Sequence, residues 1–361
     1  MMKKKIHPRR ITAKSMVPVL LVLAVIGSSC SGKRNRQDLQ NPEESRQITE
    51  NRPVPLIFDT DANNELDDQH ALAYLLLNRD YFRVLGITVN STQYGGGIEG
   101  HYREAERILT LCGRLGEIPI LRGAEGSFGE IHPHTGNPEF DGSDAVSFII
   151  EQAHTERSEP LLVIAVGKLT NLALAVHKDP ALVNRIRIVW LGSNYPEPGE
   201  YNQDNDTAAL GYLLRTNVPF EMVTVRSGKP SGTAAVTVTR QEINERMPGL
   251  GPRTSRTVTG RHGGTFDNFG DYSVSLFEHI EYDGVPQKRS LFDMAAVAIV
   301  KNPAWASRKE IPCPALINNR WIGQPDNPRT IVIWEDFHRD EIINDFFSTL
   351  EKHTPDAGII R

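Results

Sequence analysis

The stretch "LIFDTDANNELDDQHALAYLL", Leu56 to Leu76, carries five acids, Asp59, Asp61, Glu65, Asp67 and Asp68, within ten residues directly after a short apolar run. Like charges held this close repel one another and raise the cost of folding, unless a positive species sits among them or water screens them. The apolar run reads as a strand and Asp67–Asn78 as a helix, so the acids crowd the turn between the two. A bound cation is the natural counter-charge. Acids in a first helical turn also complement the helix dipole, so Asp67 and Asp68 by themselves fit either a metal or a helix start.

Outward from this stretch, β-branched apolar runs alternate with helical patterns, the signature of a mostly parallel sheet. The expected strands are Val54–Phe58, Val84–Val89, Ile118–Leu121, Leu161–Val166, Ile186–Leu191 and Phe220–Val225, with "TIVIW" near the end. Helices are expected over Asp67–Asn78, Ile98–Leu111, Asp144–His154, Leu169–Val176, Asp206–Arg215, Leu291–Val300 and Glu341–Leu350. Strands that are apolar throughout imply burial on both faces, hence an α/β fold: a three-layer α/β/α sandwich around a Rossmann-like central sheet. Residues 227–289 are rich in Gly, Pro and Thr and read as long loops inserted into one domain spanning 54–361. Ligands of open α/β sheets bind outside the carboxyl ends of the strands. Polar residues collect at those ends: Asp59 and Asp61, Asn90, "GKLTN" at 167–171, and "GSNYPEPGEYNQDND" at 192–206. Asp206 also reads as a helix N-cap, and His70 and His279 as residues of helical surfaces.

The chain has 361 residues, 39% hydrophobic and 24% charged, enough for one sizeable core. Its basic start runs into the apolar "MVPVLLVLAVI" and then "GSSC", a signal-peptide pattern over 1–30 whose Cys30 matches the lipidated cysteine of a bacterial lipoprotein. The polar residues 31–53 read as a flexible tether. Loss of residues 1–29 removes six basic residues and no acid, taking the formal net charge from −5 to −11. So acidic a body disfavours nucleic-acid binding and leaves a lipid at Cys30 as the membrane contact, with export to the periplasmic side of a bacterial membrane expected. Export permits a disulfide between Cys112 and Cys313, while Cys112 equally suits a buried thiol on an amphipathic helix.

Four motifs in order then carry a resemblance. "DTDANNELDD" at 59–68, "VGKLTNLALAV" at 166–176, "EYNQDNDTAA" at 200–209 and "LFDMAAVA" at 291–298 resemble the motifs of the inosine-uridine preferring nucleoside hydrolases. Two residues are extra between the DTD and the DD of the first motif. The resemblance implies hydrolysis of the N-glycosidic bond of ribonucleosides to free base and ribose, with a Ca2+ ion. It assigns Asp61, Asp68 and Asp293 as carboxylate ligands, Thr170 as a ligand through its backbone carbonyl, and Asp61 as the base that takes a proton from water. It places Asp67, Asn90, Asn194, Glu200 and Asn202 around the ribose, leaves Asp59 as a buttress, and suggests a homodimer or homotetramer. The residue types suit the chemistry independently: calcium takes six to eight oxygen ligands, and acceptors around a sugar assist an oxocarbenium-like transition state.

The family's histidine, associated with protonating the departing base, is replaced by Phe292, which cannot donate a proton. His262, in the loop "GRHGGTFDNFG", is the nearest substitute in the sequence and equally a plain loop residue. Trp190 and Tyr195 could stack on a base, though a tryptophan ending a buried strand also suits the core. Two other readings stand beside the hydrolase: a lipoprotein that binds nucleosides or other ribosides without cleaving them, and a metal-dependent phosphohydrolase suggested by "DTDAN".

Overall fold

The computed structural model describes residues 53–355. The signal segment, Cys30 and the tether up to residue 52 lie outside the described residues. Eight strands form the main sheet: β1 (Val54–Thr60), β2 (Phe82–Val89), β3 (Ile120–Arg122), β4 (Leu161–Ala165), β5 (Ile186–Leu191), β6 (Phe220–Val223), β7 (Ser307–Pro312) and β8 (Thr330–Glu335). Their order is β7-β8-β6-β5-β4-β1-β2-β3. All neighbours run parallel except β7, which pairs antiparallel with β8. Phe58 in β1 sits opposite Ile87 of β2 on one side and Ile164 of β4 on the other. Because the chain departs from β1 in both directions, a crevice opens where β1 and β4 end side by side.

The two-residue period of the strands divides the core between the two faces. Leu56, Phe58, Leu162 and Ile164 point to one face; Ile57, Val163 and Ala165 point to the other. Helices α1 (Asp67–Leu77), α2 (Gly97–Leu111), α6 (Phe269–Glu278), α7 (Phe292–Lys301) and α8 (Arg339–Lys352) cover the first face. Helices α3 (Ser143–His154), α4 (Thr170–Lys178) and α5 (Thr207–Arg215) cover the second. The three layers expected from the apolar strands are therefore present, each fully buried large side chain contributing about 1.5–3 kcal/mol. Among the described residues no helix is long and apolar enough to cross a membrane.

Two expectations change, and the choice left open for the cysteines resolves to buried thiols. Every residue of α1 is buried, since α2, α7 and α8 all pack on it. His70 is accordingly interior rather than surface: its ring lies edge-on to Phe269 and Phe277, and Nδ1 and Nε2 meet Leu66 O at 2.5 Å and Ser273 Oγ at 2.7 Å. Residues 227–289 are not loops alone. They include a strand, Thr237–Thr239, paired antiparallel with Lys288–Ser290, and the core helix α6. Cys112 and Cys313 are free, buried, and belong to core clusters on opposite faces of the sheet, so they do not pair.

Candidate active site

β1 ends in Asp59, Thr60 and Asp61, and the side chains of the first and last diverge in function. Asp59 is fully buried and accepts hydrogen bonds from Thr88 Oγ1 (2.6 Å), Asn90 Nδ2 (2.8 Å) and Asn171 Nδ2 (2.8 Å), while burial pushes its carboxyl up to about 6. It ties together β1, β2 and the start of α4 and faces no cavity, so it is the buttress. Asp61 faces the crevice and accepts from Thr92 Oγ1 at 2.5 Å. Between the two strand ends lies Gly167, where a Cβ would meet the Asn90 side chain at 2.8 Å and Asp61 Oδ1 at 2.9 Å. Only glycine lets the β4 end approach this closely.

The crevice is a cavity of about 250 Å³. Asp61, Asp67, Asp68, Asp293, Glu200 and Asn202 all line it, so six of the residues expected at the site meet there. Asp67 and Asp68 come from the first turn of α1 and Asp293 from the first turn of α7. Ligand oxygens of these three buried carboxylates lie within 4.8 Å of one another. Burial, and after it the neighbouring carboxylates, raises both Asp68 and Asp293 well above the ordinary range. Burial also pushes Asp67 and Asp61 up to about 7 each, with Asp61 acting on Asp67 and Glu200 on Asp61. The four charges that act most on Asp293 are all carboxylates. Three buried acids without a basic partner among the described residues are costly unless protonated or matched by a cation, and an all-oxygen donor set suits a hard divalent ion. The residues present therefore fit a metal.

The opposite wall comes from β4, β5 and the segment after them. Glu200 Oε2 accepts from the backbone N–H groups of Ser193 (2.8 Å) and Gln203 (3.1 Å), which fixes its carboxylate, and burial raises its pKa. Asn202 Nδ2 donates to the carbonyls of Val166 (2.8 Å) and Leu191 (3.2 Å), bridging the ends of β4 and β5.

Four expected residues do not line the cavity. Asn90 is fully buried behind Asp61, where it serves Asp59. Asn194 spans two loops, donating to Gly199 O at 2.6 Å and accepting from Ser227 N at 2.9 Å. Thr170 is the first residue of α4, its hydroxyl is engaged by Asp206 at 2.6 Å, and a carbonyl at that position is directed into the helix. Val166, at the end of β4, supplies the cavity wall in its place. His262 is exposed and stacked on His279 at 4.3 Å. Its neighbour Arg261 instead reaches the aspartate loop, donating to the carbonyls of Asn63 (3.2 Å) and Glu65 (3.1 Å). Trp190 is core, with Nε1 bonded to Gly167 O at 3.0 Å, and Tyr195 packs on Trp321. Asp206 does cap α5, through Ala209 N at 3.0 Å.

The cavity adds Tyr201, Glu65 and Arg289 to the residues expected at the site. Tyr201 lines it, stacked on Tyr94 at 6.0 Å. Glu65 and Arg289, an ion pair, line it together with Phe292. Glu65 lies in the turn that carries the two extra residues of the first motif, which is a signal; Arg289 stands 224 residues away in a short strand and gives none.

The family profile described as "Inosine-uridine preferring nucleoside hydrolase" matches residues 56–344. An inosine-uridine preferring nucleoside hydrolase of Leishmania major is 33% identical over 162 residues, 40% of this chain and 49% of that protein. A pyrimidine-specific ribonucleoside hydrolase of Citrobacter koseri is 26% identical over 191 residues, 47% of this chain and 59% of that protein. The chain thus aligns with about half to three fifths of the length of these curated relatives. In fold, a purine-preferring ribonucleoside hydrolase from Gardnerella vaginalis superposes with a TM-score of 0.63 at 20% identity, over 83% of this chain and 99% of that one. With its profile matched across nearly all of the described domain, and four buried acids gathered where β1 and β4 end, the chain belongs to the inosine-uridine preferring nucleoside hydrolase family.

Proposed function

We propose that this protein hydrolyses the N-glycosidic bond of ribonucleosides, releasing free base and ribose, and that the ion it uses is calcium. The observation that carries the reading is the cluster of Asp67, Asp68 and Asp293 at the sheet's switch point, beside Asp61 and opposite Glu200 and Asn202. A family metal-dependent in its chemistry and an all-oxygen donor set support calcium. Asp61, Asp68 and Asp293 would hold the ion, as the resemblance implies, joined by Asp67, whose carboxylate meets those of Asp68 and Asp293, while Val166 lines the same cavity. Bound there, the ion would let the carboxylates stay ionised together and would acidify a water at the site.

Within this frame Asp61 takes the proton of the attacking water, and Thr92 fixes its orientation. Glu200 and Asn202, locked by backbone partners, present acceptor and amide to the sugar as positive charge develops at C1′. Export and a lipid at Cys30 remain part of the proposal and rest on residues 1–30 alone. The deciding experiment incubates the purified protein with purine and pyrimidine nucleosides, with calcium or with excess chelator, and follows free base by chromatography. Base release that requires the ion is expected; binding without release would instead favour a riboside-binding protein, and full activity after exhaustive chelation would refute the metal.

A further inference from the structure

Loss of a glycosidic bond to a nitrogen base leaves an electron pair, and with it negative charge, on the base. Phe292 stands where the family's proton donor would, and it packs partly into the core of the first face. His262 does not reach the cavity. What the cavity does hold, three residues before Phe292, is Arg289. Its Nη2 is paired with Glu65 on the extended aspartate loop, its Nε is buried without an acceptor, and Glu65 is its one hydrogen-bonding partner among the described residues. The loop that carries Glu65 is itself pinned, by Arg261 on the carbonyls of Asn63 and Glu65 and by His101 Nδ1, which accepts from Asn63 N at 3.1 Å. The carboxylates and Asn202 suit the sugar, which leaves Arg289 and Phe292 among the lining residues available to the base.

We propose that Arg289, held by Glu65, is the catalytic residue that donates a hydrogen bond to the departing base and balances the charge that develops on it. The inference rests on the ribonucleoside hydrolase reading. The bond from C1′ to nitrogen breaks with its electron pair on the base, and the water oxygen bonds to C1′. Asp61 receives the water's proton, and the base takes a proton from solvent after release. The guanidinium keeps its own protons throughout, since arginine is not deprotonated in proteins. Because Glu65 engages only one end of the guanidinium, Arg289 keeps donors for a ring nitrogen or carbonyl of the base, on which negative charge grows as the bond breaks. Glu65 is a positioning residue.

The test compares uridine and inosine with nitrophenyl riboside, whose leaving group departs without help. Arg289→Met should lower kcat on the nucleosides about 10²–10³-fold, the usual cost of removing one donor to a developing anion. On nitrophenyl riboside the same variant should stay within about threefold, which also shows that it is folded. Arg289→Lys should recover part of the nucleoside rate, and Glu65→Gln should show the same split between substrates with a smaller loss. Equal loss on both substrates would make Arg289 a structural anchor and overturn the proposal, as would no loss on either. A wild-type protein that cleaves neither substrate would overturn the hydrolase reading itself, and this proposal with it.

Discussion

If calcium is the ion, protons and calcium compete for the same oxygens, and the buried carboxyls set how steeply. Asp67 is pushed up to about 7 from an ordinary value of 3.8, chiefly by burial. A carboxyl whose folded pKa is raised contributes stability that is fully present below pH 3.8 and is lost as pH rises through 7. For Asp67 alone the metal-free protein is therefore less stable at pH 8 than in acid by about 4 kcal/mol. Calcium should reverse this, because it would bind the ionised form; at a hundredfold excess over Kd it would return about 2.7 kcal/mol. Below pH 7 each ligand proton that must leave weakens binding about tenfold per pH unit. Since Asp68 and Asp293 are raised as well, the slope should be at least that steep between pH 5.5 and 7. Titration calorimetry on metal-stripped protein, in two buffers of different ionisation enthalpy, measures both Kd and the protons released. A Kd constant within threefold across that range, or binding without proton release, would refute the reasoning.

Asn171→Ala should cost about 3–5 kcal/mol in urea unfolding, because it removes a bond to the Asp59 carboxylate and strands the buried Ala124 N–H that Asn171 Oδ1 accepts at 2.7 Å; a loss below about 1 kcal/mol would count against the buttress. Burial holds His70 down at about 4, below its ordinary 6.5, so its contribution is full above pH 6.5 and is lost as pH falls toward 4, by up to about 3 kcal/mol. The stability difference between wild type and His70→Asn, measured at pH 4.5 and 7, should shrink in acid by an amount of that order. Cys30→Ser should abolish partitioning of the full chain into detergent, assayed by phase separation and mass spectrometry of the mature N-terminus; a wild type that begins elsewhere would remove the anchor.

The strand-turn-helix opening was legible because three signals coincide there: an apolar run, a cluster of acids and an apolar helix. Asp293 was legible for a related reason, as a carboxylate amid "LFDMAAVA" has no cheap place to go. Side chains whose duty depends on a distant partner were not. Asn90 follows its strand as a ribose ligand would, and only the fold reveals that Asp59 claims it. Thr170 and Val166 differ by four residues in one motif, but one carbonyl enters a helix and the other ends a strand. Helix α6 keeps apolar residues at Phe269, Tyr272, Leu276 and Phe277, a period that its Gly- and Thr-rich surroundings dilute. His70 looks like a surface residue until α6 and α8 cover it.

The acid cluster joins Asp67 to Asp293, the first turns of α1 and α7, across most of the domain's length. Such a contact closes late, since the entropy of a long loop must be spent before it forms. An ion held there can do little to help the chain collapse. It would act instead on the way out, as a clasp between α1 and α7 that must open before the first helix can leave the sheet. Calcium should then lengthen the lifetime of the native state far more than it hastens folding, a kinetic bolt for a protein expected to work outside the cell's repair machinery.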